Sequence, residues 1–161
     1  MTGRAPLSYE AIERELGGLV ERSWQSFGMP VLELRAENLL PLVTRLRDRF
    51  DFALFLDVTA VDYPERSPRF DVVYHFYSRR HNQRIRLKVR VPAERPVVPT
   101  LAGHYGSARY MEREVHDMYG IEFAGNEDLR PILLYEGFVG HPLRKDYPIE
   151  REQPMVPYRT G

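Results

Sequence analysis

The chain has 161 residues, of which 43% are hydrophobic and 29% are charged; this is enough for one globular domain with a core, and it excludes wholesale disorder. Lys and Arg together number 23, as do Asp and Glu, so the chain lacks the basic excess that is typical of a free-standing nucleic-acid binder. Cysteine is absent, which excludes thiolate-ligated iron–sulfur clusters, cysteine zinc sites, thiol nucleophiles and disulfides.

Two amphipathic helices are predicted in the first third of the chain. The first begins at a possible N-cap, Ser8, and stops at Gly28. Its apolar face comprises Ile12, Leu16, Leu19, Val20 and Phe27. Trp24 falls near that face and is interpreted as part of the core. A short strand is predicted at 31–35, and the second helix then begins with Asn38 as its cap. Its apolar positions are Leu39, Leu42, Val43, Leu46 and Phe50.

Three strands are predicted next, at 53–58, 70–77 and 84–91, because short β-branched and aromatic runs are separated by turn residues. Asp62, just before Tyr63-Pro64, is interpreted as a turn former. In the last strand apolar residues alternate with four cations, which are Arg84, Arg86, Lys88 and Arg90. This alternation predicts an antiparallel strand with one buried face and one wet or partnered face. Three prolines between positions 92 and 99 predict an extended connector after the sheet.

A third helix is predicted from a cap at Ser107 through Tyr119, with Gly120 in the C′ position. Beyond it, Pro and Gly leave little room for regular elements, although apolar residues remain frequent. We interpret residues 126–161 as an extended C-terminal docking arm that contact with another protein orders, and residues 1–125 as an α+β core domain. The predicted fold is therefore a two-layer α/β sandwich with a mainly antiparallel sheet, flanking helices and a long C-terminal arm.

A dense cluster of charge lies on the predicted third helix, at positions 112–117. Glu112 and His116 are i, i+4 neighbours, as are Arg113 and Asp117. Three interpretations stay open: metal ligation by Glu112 and His116 without the full H-E-x-x-H signature, a solvated helix face, and ion pairs that lock the helix to the arm or to a partner. The third is favoured.

A second charged segment, 140–148, has the sequence Gly-His-Pro-Leu-Arg-Lys-Asp-Tyr-Pro. Its two prolines fix the backbone on either side of a pair of cations, and such a rigid strip suits docking into a groove. Pairing of Glu112 or Glu114 with Arg144 or Arg130 would pin the arm to the third helix.

Two functions of other classes stay open from these residues. Glu112, His116 and His141 are candidates for a metal-dependent hydrolase, and His141 is a candidate for a lone catalytic base, although nothing in the sequence supplies an orienting partner for it. The basic strand around Arg86 and Lys88 is a candidate RNA-binding surface, although no RNP-like motif accompanies it.

The two charged segments together carry a family resemblance. The string Glu-Arg-Glu-Val-His-Asp-Met-Tyr-Gly-Ile at 112–121, then Asp-Leu-Arg at 128–130 and the segment 140–148, closely resemble the signature of the C subunit of NADH-quinone oxidoreductase, respiratory complex I, whose mitochondrial counterpart is the thirty-kilodalton subunit. Segments 56–64 and 86–92 resemble family segments too. The chain departs from the family at 126–131, where His-Pro-Asp-Leu-Arg-Arg is usual, and at Tyr110-Met111, where a Trp-Tyr pair is common.

This resemblance implies a protein that holds no cofactor and catalyses nothing by itself, because FMN, the iron–sulfur clusters and quinone lie in partner subunits. It implies as partners the D subunit, which forms the quinone pocket, and the cluster-bearing B and I subunits, in an assembly that passes electrons from NADH to quinone and translocates protons. The alternative is the equivalent component of a membrane-bound energy-converting hydrogenase or of another complex I homologue.

The location that the resemblance implies is the cytoplasmic side of the bacterial inner membrane, reached only through the complex. The sequence agrees, since it shows no signal-peptide core and no apolar run of the ~20 residues that a membrane helix needs. The positions expected at subunit interfaces are Glu112, Arg113, Glu114, Asp117, Arg130, His141, Pro142, Leu143, Arg144, Lys145, Asp146 and Tyr147.

Overall fold

Helices cover one face of a five-stranded sheet in the computed structural model, which describes residues 7–153. The helices in this range are α1 (Tyr9–Leu16), α2 (Leu39–Phe50) and α3 (Ala108–Tyr119). The strands of the main sheet are β1 (Arg22–Ser26), β2 (Met29–Leu34), β3 (Leu54–Asp62), β4 (Phe70–Ser78) and β5 (Gln83–Val91). A two-stranded parallel sheet is formed by β6 (Val97–Pro99) and β7 (Glu122–Ala124).

The main sheet has the strand order β1-β2-β5-β4-β3. All neighbours in it are antiparallel except β2 and β5. Parallel neighbours need a long crossover, and here α2, β3 and β4 lie in sequence between the two strands. The predicted α+β fold with a mainly antiparallel sheet and flanking helices is confirmed.

The alternation predicted for β5 is confirmed by its burial. Ile85, Leu87 and Val89 are fully buried, and they lie opposite Phe76, Tyr74 and Val72 of β4. These side chains pack with the apolar stripes of α1 and α2 into one core cluster. Each fully buried side chain of this size contributes about 1.5–3 kcal/mol relative to exposure, so the inward face dominates the stability of the fold.

The first predicted helix is wrong beyond Leu16. Gly17 and Gly18 end α1 and pass into a short 3₁₀ turn, since glycine disfavours a helix interior. The chain then forms the β1–β2 hairpin, in which Trp24 lies in β1 opposite Val31. Trp24 is only half-buried and contacts cations, with Arg22 5.4 Å and Lys88 5.8 Å from its ring centroid. The prediction that it lies in the core is therefore also wrong.

The helix boundaries beyond this point agree with the sequence, although the caps differ. α2 and α3 span the predicted ranges, and Gly120 ends α3 in the left-handed conformation, with φ of 71°. Ser8 caps α1 as predicted, by accepting a hydrogen bond from the N–H of Ala11. Asn38 does not cap α2, because its side chain donates instead to the carbonyl of Leu19.

The predicted connector at 92–99 contains β6, which pairs with β7 just after α3. Residues 126–153, the described part of the arm, contain no helix or strand. The boundary between core and arm at 125/126 stays a prediction, and residues 154–161 of the arm lie outside the described residues.

Candidate functional site

The arm crosses the C-terminal half of α3, and the first contact is made by the carboxylate of Asp117. This side chain is buried, and one of its oxygens accepts hydrogen bonds from the backbone N–H groups of Ile132, Leu133 and Leu134, at 2.8, 2.9 and 3.3 Å. Hydrogen bonds to a charged group make a net contribution to stability of about 1.5–3 kcal/mol each, with the exchange for water already counted. Asp117 therefore fixes the backbone of the arm at this crossing.

The second contact satisfies the end of α3. The last carbonyls of a helix have no partner within it. Here Leu143 donates its N–H to the carbonyl of Met118 at 3.1 Å, and the Nε of Arg144 donates to the carbonyl of Tyr119 at 2.5 Å. The Nδ1 of His141 lies 2.9 Å from the carbonyl of Asp117, and because a carbonyl only accepts, this nitrogen carries the hydrogen. The segment 141–144 therefore caps the helix.

Gly120 allows this close approach. A Cβ at this position would lie 2.5 Å from the Nε2 of His141 and 2.7 Å from an Nη of Arg144, and φ is positive. A side chain here would displace the arm, so glycine is required by both backbone conformation and space.

The third contact joins the arm to the end of β3. The buried carboxylate of Asp62 accepts two hydrogen bonds from Arg69, at 2.7 and 2.8 Å, and a third from the N–H of Lys145 at 2.7 Å. Arg69 also donates to Asp146 at 2.8 Å. The hydrogen bonds from Arg69 lower the pKa of Asp62, and the N–H of Lys145 adds to that effect against burial. The ionised form of Asp62 is thus the one that holds the arm.

Glu112 and Arg113 hold the beginning of the arm. Glu112 is fully buried and accepts hydrogen bonds from the Thr100 hydroxyl at 2.5 Å, the N–H of Leu101 at 2.7 Å and the side-chain amide of Asn126 at 2.9 Å. Burial raises the pKa of Glu112, while these three donors oppose the rise. Arg113 donates to the carbonyls at 130 and 131, at 2.8 and 2.9 Å.

The predicted pairing of Glu112 or Glu114 with Arg144 or Arg130 is wrong. Glu112 binds the donors just described, and Glu114 is exposed with no hydrogen bond or ion pair to any residue between 7 and 153. Arg130 pairs with Asp128 two residues away, and Arg144 caps α3 and lies over the ring of Phe70. The favoured interpretation, ion pairs between helix and arm, holds for a different pair, Arg113 with Asp128 at 3.6 Å. Most of the other contacts between helix and arm use backbone groups.

Most of the predicted interface residues nevertheless meet at this crossing. Tyr147 stacks on Phe138 with ring centroids 6.2 Å apart, and its hydroxyl accepts a hydrogen bond from Gln153 at 2.7 Å. Pro142 is half-buried beside His141. Glu114 and the Arg130 side chain lie outside the contacts with α3. Whether any of these positions touches a partner stays a prediction.

Sequence reasoning misses Asp62, Arg69 and Asn126. The interpretation of Asp62 as a turn former is incomplete, because it occupies an inward position of β3, in phase with the buried Val58 and Ala60. An acid at such a position needs a partner, and that signal is present in the sequence.

Apolar side chains of the arm point away from the core while its backbone is held against it. Leu133 is 60% exposed, Val139 56%, Leu143 50% and Ile149 99%. We call these four residues the arm strip. They all lie on one segment of the chain, which makes that segment a candidate interaction surface.

The geometry gives little support to the two alternative functions, a metal-dependent hydrolase and an RNA-binding surface. Between residues 7 and 153, no group of three or more His, Asp or Glu side chains is arranged to hold a metal ion. Glu112 faces Thr100, whereas His116 and His141 bond to backbone carbonyls. The cleft between α3 and the arm has a volume of about 160 Å³, which is below the roughly 300 Å³ at which ligand pockets begin. Two cations of the basic strand are paired within the chain, Arg90 with Glu33 at 2.9 Å and Lys88 with Asp71 at 3.6 Å.

Attachment of the arm is expected to weaken as the pH falls below neutrality. Burial lowers the pKa of His141, and the nearby Arg144 and His116 act in the same direction. A histidine whose folded-state pKa is depressed stabilises the fold fully above its unfolded pKa of about 6.5, and this contribution declines as the pH falls below that value. The midpoint of thermal unfolding, followed from pH 7.5 to 5.5, should fall more steeply for the wild type than for His141→Asn, whose Nδ2 takes the place of Nδ1 and can still donate to the backbone carbonyl of Asp117. Parallel curves would contradict the assignment.

No helix within residues 7–153 combines the length and the apolar character that crossing a membrane requires.

Comparison with known proteins gives consistent matches. The family model described as respiratory-chain NADH dehydrogenase, 30 Kd subunit, matches residues 32–153. The C subunit of the NADH-quinone oxidoreductase of Sinorhizobium medicae (strain WSM419) is 49% identical over 140 residues, which are 86% of this chain and 69% of that relative.

Solved structures agree in fold. A trypsin-resistant fragment (1–134) of Nqo5 superposes with a TM-score of 0.65 at 29% identity, over 74% of this chain and 95% of that one. A chain of the membrane-bound sulfane sulfur reductase, an archaeal respiratory membrane complex, superposes with a TM-score of 0.76 at 25% identity, over 88% of this chain and 84% of that one.

Proposed function

The chain belongs to the family of the 30 kDa subunit of respiratory-chain NADH dehydrogenase, and from that premise we propose that it is a structural component that fixes the positions of its redox-active neighbours. In this proposal it holds no cofactor and performs no chemical step. FMN, the iron–sulfur clusters and quinone lie in other subunits of NADH-quinone oxidoreductase, which passes electrons from NADH to quinone and translocates protons.

The observation that carries the proposal is the arm strip. Its apolar side chains are exposed, although the arm that bears them is held by Asp117 at Leu133, by the carbonyl of Met118 at Leu143 and by Asp62 at Lys145. A rigid backbone that presents apolar side chains loses little conformational entropy on binding, because it is already ordered before the partner arrives. Covering the strip would remove its apolar surface from water. We propose that the partner is chiefly the D subunit, with the B and I subunits nearby.

The arrangement also suits a positional role. A partner bound to the arm strip is connected to α3 and β3 through buried, charge-assisted hydrogen bonds. Such contacts allow little movement between the partner and the sheet. The rate of electron transfer between cofactors in neighbouring subunits depends on the distance between them. A protein that fixes this distance supports turnover without carrying electrons itself.

Two relatives support particular parts of this proposal. The Nqo5 fragment is described as trypsin-resistant, which supports a core that is stable by itself. The match to a chain of an archaeal respiratory membrane complex supports a place in a respiratory membrane complex of some kind. The alternative to complex I that we propose is an energy-converting hydrogenase or another complex I homologue. In either case we propose that it reaches the cytoplasmic side of the bacterial inner membrane only through its complex.

A double substitution in the arm strip, Leu133→Ser with Val139→Ser, is expected to abolish incorporation into the membrane complex while leaving the fold intact. Both side chains are more than half exposed, so the free energy of unfolding of the isolated chain should change by no more than about 0.5 kcal/mol per site. The measurement is recovery of partner subunits with a tagged copy from its native membrane, together with NADH-quinone turnover of those membranes.

The matched control is Leu54→Ser, which removes a side chain that is 41% exposed at the first residue of β3, at the opposite end of the strand from Asp62 and its contact with the arm. It should assemble like the wild type. Wild-type assembly and turnover of the double variant would overturn the proposed role of the arm.

A further inference from the structure

The turn between β1 and β2 contains an aromatic residue in an unusual conformation. Ser26 pairs with Met29, so Phe27 and Gly28 form a two-residue hairpin turn, and their φ values are 50° and 75°. Two positive φ angles define the type I′ turn, whose first position favours Asn, Asp or Gly. A bulky side chain in the left-handed region is strained by contact with its own backbone. Phe27 therefore lowers the stability of the isolated chain.

Phe27 receives no compensation from the rest of the chain. Its side chain is fully exposed, and it makes no ring or cation contact with any residue from 7 to 153. Exposure of a large aromatic ring to water is unfavourable in addition to the backbone strain. A strained backbone residue is most often found at a ligand clamp or another functional position.

The turn borders a cleft of about 570 Å³ on the uncovered face of the sheet. β2 and β5 are parallel, with Val31 opposite Arg86, so the β1–β2 and β4–β5 turns lie at the same end of the sheet. The cleft between them is lined by Phe27, Met29, Asn82, Arg84 and Arg86, together with Ser26, Gly28 and Gln83.

This cleft is positively charged in a chain of zero net charge. None of its lining residues is acidic, and Arg84 is exposed with no ion pair to a described residue. Arg86 donates its Nε–H to the Nε2 of His75 at 2.8 Å, which orients the guanidinium without neutralising it. Two arginines beside an exposed aromatic ring have the composition of an interface hot spot, in which Trp, Tyr and Arg are enriched and aromatic anchors fill pockets.

We propose that the β1–β2 turn is a second docking site, at which a neighbouring protein of the assembly accepts Phe27 in an apolar pocket and pairs carboxylates with Arg84 and Arg86. The inference rests on the proposed function, because the partner is taken to be another subunit of the same complex. A protein is favoured over a lipid surface because the tip presents one exposed apolar side chain, whereas membrane docking relies on a broad apolar face. The planar fork of arginine matches a carboxylate or a phosphate bidentately, so the choice between protein and lipid rests on the single apolar side chain and not on the arginines.

Phe27→Asn in the full chain gives a test with two opposite expectations. Asparagine adopts the left-handed conformation readily, so the thermal midpoint of the purified chain should rise, by about 2 °C or more. The midpoint of the salt-induced dissociation of this chain from the purified complex should shift to lower salt, in line with an affinity about tenfold weaker. A variant that is more stable and yet dissociates more easily cannot owe its defect to misfolding.

Arg84→Glu should also weaken retention of the chain in the complex, because it replaces an attractive contact with the partner's carboxylates by a repulsive one. Its matched control is Arg45→Glu, which makes the same change of charge at an exposed position of α2, on the other layer of the molecule. The control should be retained like the wild type.

Four results would overturn the proposal. If Phe27→Asn stays in the complex like the wild type while the Leu133→Ser, Val139→Ser variant is lost from it, this docking site is refuted and the proposed function stands. If both variants stay in the complex like the wild type, the docking site and the proposed function are both refuted. Phe27-dependent binding of the purified chain to vesicles of phosphatidylcholine and phosphatidylglycerol assigns the turn to a membrane. Phe27-dependent dimerisation, seen by sedimentation, assigns it to a second copy of the chain.

Discussion

Replacing Asp117 by alanine is expected to detach the arm from α3 and to lower the free energy of unfolding by about 2–4 kcal/mol. The carboxylate is the shared acceptor for three backbone N–H groups of the arm, and it is almost completely buried. Alanine would leave these donors without a partner unless the segment moves out into water. Because solvent can then satisfy the donors, the expected loss is smaller than the sum of three charged hydrogen bonds.

The position of Asp117 strengthens this expectation. It lies in the last turn of α3, where a negative charge is unfavourable because the helix dipole is negative at that end, by about 0.3–1 kcal/mol. The three N–H groups must therefore more than offset this effect. The variant should lose hydrogen-exchange protection at positions 132–134, unfold at lower urea concentration and fail to recover partner subunits from the membrane.

Glu114→Ala is the matched control for Asp117→Ala. Glu114 is an exposed acid on the same helix, without a hydrogen bond to a described residue, so its removal should change stability by no more than about 0.5 kcal/mol. Unchanged exchange protection at 132–134 in the Asp117 variant would show that the arm is held by other contacts.

Glu112→Gln is expected to lower the free energy of unfolding by about 2 kcal/mol, although the side chain keeps its size. The carboxylate accepts from three donors, whereas an amide has one oxygen and one NH₂ group. If the glutamine NH₂ group faces the N–H of Leu101, two hydrogen-bond donors face each other and no bond forms between them. If the glutamine NH₂ group faces Asn126, it again faces a donor, the NH₂ group of Asn126. The Asn126 amide cannot turn over to offer its oxygen, because that oxygen accepts the N–H of Asp128.

Chemical denaturation of Glu112→Gln beside the exposed control Glu114→Gln separates this effect from a general loss of negative charge on α3. Only the buried substitution should destabilise the chain. A Glu112→Gln variant as stable as the wild type would mean that the buried site adapts, for example by admitting water, and that the three hydrogen bonds contribute less than we infer.

Much of the fold is predictable because its signals are local. The alternation in β5 and the i, i+3, i+4 spacing in α2 each depend on a few neighbouring residues, and both predictions are confirmed. The first predicted helix fails beyond Leu16 because its apolar residues happen to fit a helical spacing. The turn at Phe27-Gly28 also lacks the Asn-Gly sequence that usually indicates a type I′ hairpin.

The sequence predicts which residues form the candidate site, but it does not predict which of them bond to each other. The strings at 112–121 and 140–148 indicate which residues gather, and both lie within residues 32–153, which the family model matches. Their charges suggest ion pairs between side chains. In the structure Asp117 binds three backbone N–H groups of the arm, and Asp62 binds the N–H of Lys145 in addition to the side chain of Arg69. No pattern in the sequence distinguishes those backbone donors from a cationic side chain.

The sequence by itself therefore determined the secondary structure where periodicity is local, the class of the fold, and the family through two specific strings. Only the tertiary structure decided which donor meets which acceptor, because those partners are far apart along the chain. Asp62 and the N–H of Lys145 are separated by 83 positions and lie 2.7 Å apart. Contacts of this kind depend on the path of the whole backbone, since side-chain chemistry specifies what each group can bind but not what the fold brings within reach.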